Sequence, residues 1–291
     1  QERRYQRMIT VVLALISLIM VIPLVLLVVA SFTSNNEIVL HGYSFFPKEL
    51  SLEAYRYIWN ERAQVFHGIT ILVTAIGTTI GVMMTLLYAY VLAHEKFPGK
   101  TFLAFYLFFT MLFNGGLVPT YIMYTRYLHM KNTIPALIIP GLLMSAFNVI
   151  LTRTYIQSNV PAALSEAAKI DGATEFQVFR KVVLPMCKPI IATVGLFAGL
   201  GYWNDWTNGL YYITDTNKFS IQQLLNNMIK NIEFLSKNAN SNINLASVGG
   251  GIPQETVRMA IAIVGLLPIL IVFPFVQKYF VKGISIGAVK G

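Results

Sequence analysis

A chain of 291 residues that is 55% hydrophobic and only 12% charged carries about half the charged fraction of an ordinary soluble domain, which excludes that class and points to a membrane protein. The single cysteine, Cys187, excludes an internal disulfide and offers no metal cluster. The formal charge of +9 is assigned to membrane topology and not to nucleic acid, because no basic groove with interleaved aromatic residues accompanies it.

Residues 8–36, 63–94, 101–125, 132–152 and 259–277 contain no Asp, Glu, Lys or Arg, and 189–214 contains one, Asp205. Each run is long enough for the roughly 20 apolar residues that cross a hydrocarbon core. Helices are the expected form, since a segment in lipid must satisfy its own backbone. The fold class predicted is therefore an all-α membrane protein with six transmembrane helices. The first run follows RRYQR, which has the general form of a signal peptide, but it exceeds the usual apolar length of about 7–15 residues and no small-residue cleavage site follows. It is read as a first span.

Between the first two runs, SLEAYRYIW places Leu52, Tyr55, Ile58 and Trp59 at helical spacing, either to lie along the membrane or a partner or to shield the loop. Gly77 with Gly81 and Gly195 with Gly199 are small-xxx-small pairs that let helices approach closely. Pro23, Gly115 with Gly116 and Pro119, Pro140 with Gly141, Pro268 and Pro274 are expected to break their spans, which implies a bundle around a pathway. The segment 214–255 is rich in Asn, Ser and Gly and is expected to be irregular, with one helix over SIQQLLNNMIKNIEFL. With the N-terminus placed inside, the inner segments hold 13 Lys and Arg in 64 residues against 9 in 88 outside. Both termini are therefore expected in the cytoplasm.

Catalytic motifs fail on inspection. HEKFPGKT ends like a phosphate-binding loop, but His94 stands where the first Gly belongs and a membrane span follows. There is no H-E-x-x-H and no G-x-S-x-G. His41, His67, His94 and His129 all fall in loops or at span ends. No span holds the Arg or Lys ladder of a voltage sensor, and only Asp205 could serve as a buried coupling carboxylate. No catalytic residue and no metal site is assigned, and the energy for any transport is expected to come from another protein.

The polar passage 161–185 reads as two short helices joined by a turn. Pro161 suits the first helical position, with Ser158 or Asn159 as cap, and PAALSEAAKI is dense in helix formers. Asp171 and Gly172 end the first helix, Gly being the residue that reaches left-handed backbone without strain. Thr174 and Gln177 form a capping box for the second, which Pro185 is expected to stop. Phe176, Phe179 and Val183 are placed on one face of it, with Glu175, Arg180 and Lys181 off that line. Ala162, Ala163, Ala167 and Ala168 keep the first helix thin enough to enter a groove of another protein, with Glu166 and Lys169 at the rim; a pair of surface helices on the bilayer is the alternative.

Glu166, Ala167, Ala168, Gly172, Val182, Leu184 and Pro185 fall in register with the pattern E-A-A, three residues, G, nine residues, I-x-L-P. This resembles the signature of the permease subunits of ABC importers, with Val182 in place of the commoner Ile. The ending QKYFVKGISIGAVKG looks like the maltose-type, six-span carbohydrate branch, and FNGGLVPTYIM and GGIPQETVRMA resemble its subgroup for polysaccharide fragments and complex oligosaccharides. The resemblance implies a type I importer permease in a prokaryotic cell membrane, carrying a sugar inward, with 1–65 as first span and outer loop, 66–285 as permease core and 286–291 as cytoplasmic tail. It also implies partners: a cytoplasmic ATPase dimer holding ATP and Mg, a second and different permease subunit, an external solute-binding protein, the sugar and the bilayer.

In such a system the segment Pro161 to Ile170 would be the coupling helix seated in the ATPase, with Glu166, Ala167, Ala168, Lys169, Asp171, Gly172, Val182, Leu184 and Pro185 as coupling residues. For the solute, Trp203, Asn204, Asp205 and Trp206 offer aromatic faces and hydrogen-bonding groups roughly 21 Å along their span, and Asn114 lies roughly 20 Å along its own. Enrichment of Trp at the membrane interface and relief of the Gly-Gly-Pro break are the structural alternatives. The same architecture carrying an amino acid, peptide or phosphate is the alternative function, and a channel or secondary transporter stands behind it.

Overall fold

In the computed structural model the chain is described over residues 2–61, 68–94, 97–238 and 254–288. The readings made for His67, for most of the Asn- and Gly-rich segment and for the last three residues lie outside these. Among the described residues the structure is helical, and the β pairing consists of one antiparallel bridge between Thr33 and Leu50. The chain divides into two compact units, 1–65 with 224–268 and 66–223 with 269–291.

The first unit begins with α1 (Glu2–Ser31), whose side chains are exposed along nearly its whole length, as lipid-facing residues are. It continues through α2 (Asn35–His41) and α3 (Glu53–Glu61). The end of α1 is pinned by Ser31, whose hydroxyl lies 2.8 Å from Tyr55 Oη, while Phe32 stacks on the Tyr55 ring at 4.9 Å. On α3 the buried residues are Ala54 and Ile58, whereas Leu52 and Trp59 are exposed. The helix begins at Glu53, so Leu52 precedes it; of the expected stripe Ile58 is buried and Tyr55 half-buried, and Ala54 takes the inner place instead of Leu52.

The second unit contains α4 (Ile69–Ala93), α5 (Lys100–Leu112), α6 (Leu117–Tyr127), α7 (Pro135–Ile138), α8 (Ala146–Asn159), α9 (Ala162–Ile170), α10 (Glu175–Met186), α11 (Lys188–Trp203) and α12 (Thr207–Tyr212). Two further helices, α13 (Ile221–Asn238) and α14 (Gln254–Ala288), complete the described chain. The helix expected over residues 220–235 is α13.

Three of the six apolar runs form single helices of spanning length, Arg4–Ser31, Ile69–Ala93 and Glu255–Phe275. The run 101–125 is a pair, α5 and α6, bent by 114°. Gly116 at φ +85° makes that bend, and Asn114 Oδ1 accepts its N–H at 2.8 Å. The run 132–152 departs most from a simple span: α7, a break at Pro140 and Gly141 (φ +73°), then α8. The run 189–214 is α11 and α12, parted at Asn204–Trp206. Pro23, Pro268 and Pro274 break nothing and sit inside continuous helices. A proline removes one backbone bond, which a long apolar helix absorbs, whereas a glycine at positive φ redirects the chain.

In the second unit α4 packs along both α8 and α11, and one glycine of each pair, Gly77 and Gly199, lies where α4 and α11 approach. Gly77 lies directly under the buried Tyr202 ring, and Gly199 faces Thr78. Tyr202 Oη donates to the Ile138 carbonyl at 2.9 Å and the buried Asn208 amide donates to the Pro140 carbonyl at 2.9 Å. These bonds take up carbonyls around the Pro140–Gly141 break, where no water is available to do so. A second core gathers Leu86, Ala89 and Leu92 of α4, Val149 and Ile156 of α8, Val178, Phe179 and Val183 of α10, and Ile190 and Val194 of α11.

Candidate functional site

The passage 161–185 folds as two short helices about a turn. Pro161 is the N-cap of α9, with φ −61° and ψ 129°, and the helix begins at Ala162. Its expected place inside the first turn is therefore off by one, and Ser158 and Asn159 belong to α8, where the Asn159 amide donates to the Tyr155 carbonyl at 3.1 Å. No residue of α9 is buried. Glu166, Ala162, Ala163 and Ala167 are exposed, and Ala168 is half-buried against the core formed by α4, α8 and α10.

The turn closes as a Schellman motif. Gly172 at φ +82° donates its N–H to the Lys169 carbonyl at 3.0 Å, and Ala173 donates to the Ala168 carbonyl at 2.9 Å. Two carbonyls left over at the end of α9 are thereby satisfied. The capping box forms as the sequence predicts: Thr174 Oγ1 accepts from Gln177 N at 3.3 Å, and Thr174 N donates to Gln177 Oε1 at 2.8 Å.

Beyond the box the structure departs from expectation. A π turn occupies Phe179–Val183, in which the Leu184 N–H reaches the Phe179 carbonyl, and helical backbone runs on through Pro185 to Met186. The wider turn shifts the hydrogen-bond ladder just where proline can donate nothing. The helix ends at Cys187, and α11 leaves at 82° to α10. The buried residues of α10 are Val178, Phe179 and Val183, and Phe176, expected on that face, is 65% exposed. Burial of each of these three is worth roughly 1.5–3 kcal/mol, so α10 is rooted in the bundle, whereas α9 touches it chiefly through the half-buried Ala168. Val182 and Leu184 are half-buried and Pro185 is exposed.

Lys169, expected at the rim of a partner's groove, forms an ion pair with Glu175 of its own chain. Glu175 Oε2 also accepts from Tyr90 Oη at 2.9 Å and lies 3.8 Å from His94 Nε2, which is 3.3 Å from Lys169 Nζ. The Lys169 ammonium first, and the Tyr90 hydroxyl and His94 after it, hold the Glu175 carboxyl below its ordinary value of 4.5 against a modest desolvation that raises it. A depressed carboxylate stabilises the fold above its unfolded value, and that contribution is lost as pH falls through the lowered one. With Glu175 60% exposed, solvent screening keeps such a pair to about 0.2–1 kcal/mol. Glu175, Tyr90 and His94 were not legible as a group, since 75 residues or more separate Tyr90 and His94 from Lys169 and Glu175 and only proximity in the fold joins them.

The residues considered for solute sit at the other two breaks. Trp203 ends α11, Asn204 is its exposed C-cap, and Trp206 is the N-cap of α12. Asp205 Oδ1 accepts the N–H groups of Thr207 at 3.0 Å and Asn208 at 3.2 Å, the work of a helix cap. Asn114 supports the Gly116 turn. Near these breaks, Asn132 at φ +61° was missed: its Oδ1 accepts from Thr214 N at 2.6 Å and Asp215 N at 3.0 Å, clamping the loop before α7 to the loop after α12.

A bundle with several apolar helices of spanning length and an exposed, alanine-rich helix beside them is the architecture of a membrane protein. The chain belongs to the family described as binding-protein-dependent transport system inner membrane component, whose profile matches residues 101–286. It is 35% identical over 293 residues, spanning the whole of both chains, to the polygalacturonan/rhamnogalacturonan transport system permease protein YtcP of Bacillus subtilis (strain 168). It is also 35% identical over 274 residues, 94% of this chain and 90% of the other, to protein LplC of the same organism. Among solved structures it matches a chain of a bacterial ABC transporter involved in the import of the acidic polysaccharide alginate, with a TM-score of 0.79, 28% identity, and coverage of 96% of this chain and 97% of that one. The resemblance carried by Glu166 to Pro185 is thus borne out, as is the all-α membrane fold.

Proposed function

We propose that this permease passes a sugar oligomer inward, driven by ATP hydrolysed in a separate subunit and transmitted through α9. The observation that carries the sugar assignment is full-length similarity to a permease named for polygalacturonan and rhamnogalacturonan and to a structure titled for alginate import. Amino-acid, peptide or phosphate cargo has no such support.

In this reading both termini and the 161–185 segment face the cytoplasm, in keeping with the excess of Lys and Arg on that side. Residues 66–285 form the permease core and 1–65 an accessory first span and outer loop. A cytoplasmic ATPase dimer, which holds ATP and Mg, receives α9, and a second, different permease completes the pathway that an external binding protein supplies with solute. The exposed Glu166, which makes no hydrogen bond or ion pair among the described residues, is the polar contact offered to the ATPase. Coupling is geometric: α10, α11 and the helices packed on them have two arrangements, and ATP binding to the partner biases one of them.

Reconstituted with these partners, the complex should import defined oligogalacturonides or related oligosaccharides in an ATP-dependent, vanadate-sensitive manner. ATP-driven uptake of only amino acids, peptides or phosphate would overturn the sugar assignment. Trp203 and Asn204 are proposed to face the cargo, with Asp205 holding their turn. Trp203→Ala and Asn204→Ala should each weaken uptake of dilute sugar several-fold in a complex that assembles normally, and unchanged uptake would remove them from the pathway.

A further inference from the structure

Chain continuity ties the α9–α10 segment to α8 on one side and α11 on the other, but not to α4, the helix that packs along both. Apolar packing of Val178, Phe179 and Val183 against α4 supplies one link, and Glu175 adds a polar one. We infer that Glu175 is a positioning strut, which braces α9 against α10 through Lys169 and fastens both to the end of α4 through Tyr90 and His94. This rests on the coupling role proposed for α9. A partner that displaces α9 would then move α4 in step with α8 and α11.

The geometry favours a strut over an incidental surface pair in three respects. First, the two carboxylate oxygens point to different elements: Oε1 meets Lys169 in the last turn of α9, and Oε2 meets Tyr90 and His94. Second, the hydroxyl-to-carboxylate bond at 2.9 Å is charge-assisted, a class stronger than neutral bonds. Third, the Tyr90 ring packs 5.2 Å from the buried Phe179 ring and 4.8 Å from the His94 ring. Its hydroxyl is thereby aimed by a side chain already rooted in the core. The Schellman turn at Gly172 sets the angle between α9 and α10, and the ion pair spanning it resists opening of that angle.

The test uses the complete transporter in liposomes, reading sugar imported per ATP hydrolysed. Tyr90→Phe keeps the ring and its packing and removes only the hydroxyl, and Glu175→Gln keeps the shape and removes the charge. Each is expected to lower import per ATP about two- to fivefold, the range of a partly exposed charged contact. The double variant should be no worse than the poorer single one, because both cut the same link. Losses that multiply, or single variants that import per ATP like the wild type, would overturn the strut. If Glu175→Gln assembles poorly, Tyr90→Phe alone decides in the same way. A wild-type complex with no ATP-driven import would overturn the functional reading and the strut with it, whereas a working wild type matched by its variants overturns the strut alone.

Discussion

Gly172→Val is expected to cut ATP-driven import roughly tenfold while the protein still inserts in the membrane. Gly172 stands at φ +82°, where a side chain with a Cβ meets the following carbonyl, at a cost of about 1–2 kcal/mol. That is a factor of roughly 5–30 in the population of the turn. Space is not the issue, since a Cβ built at Gly172 meets nothing within 4 Å. The penalty therefore falls on the direction of the chain: without this backbone, Gly172 N–H and Ala173 N–H lose the Lys169 and Ala168 carbonyls and α9 leaves α10 at another angle. The bundle below is held by Val178, Phe179 and Val183 and does not depend on the turn. Gly172→Asn, a residue that tolerates left-handed backbone, should retain much more activity. Import by Gly172→Val at the wild-type rate would show that the angle of the lever does not matter.

Gly81→Leu should fail at an earlier stage, in folding. A Cβ at Gly81 would stand 2.7 Å from the Leu143 carbonyl oxygen, a backbone atom in the break between α7 and α8. Relief requires that α4 or the break itself move, and overpacking of this kind costs about 1–3 kcal/mol before the rest of a leucine is fitted. The nearby carbonyls are held by Tyr202 and Asn208, so the break has little freedom to yield. Loss of monodisperse protein in detergent, or a fall of many degrees in its melting temperature, is the expected result. Gly195→Ala is the control, because the nearest atom there, Val82 Cγ2, lies at 3.9 Å. Equal melting temperatures for the wild type and Gly81→Leu would contradict the close approach.

The features legible in the chain were local. The Thr174 capping box, the left-handed Gly172 and the glycine-mediated packing of α4 each depend on a few neighbouring residues, and the structure contains them. The features that were not legible depend on partners distant in sequence or on how the backbone absorbs a proline. Nothing near Pro185 announces the π turn over Phe179–Val183, and nothing local tells that Phe176 is exposed and Val178 buried. Pro23 and Pro140 are both prolines in apolar runs, yet one lies within a continuous helix and the other adjoins a break. The difference lies in the neighbours of Pro140: Gly141 adopts positive φ, and Tyr202 and Asn208, more than 60 residues away, take up the freed carbonyls. The residues proposed for coupling were legible as a pattern, but the intrachain pairing of Lys169 with Glu175 required the fold.

The central claim is that α9 is the element held by the ATPase, and site-directed cross-linking tests it most directly. Cys187 is buried, so a cysteine introduced at Ala163 or Ser165, or at Glu166, reports on α9 in a Cys187→Ser background. In membranes containing the complete transporter, each of these cysteines should cross-link to the ATPase subunit, with a yield that changes between ATP-bound and nucleotide-free states. Failure of all three to capture the ATPase in a complex that hydrolyses ATP and imports sugar would contradict the account.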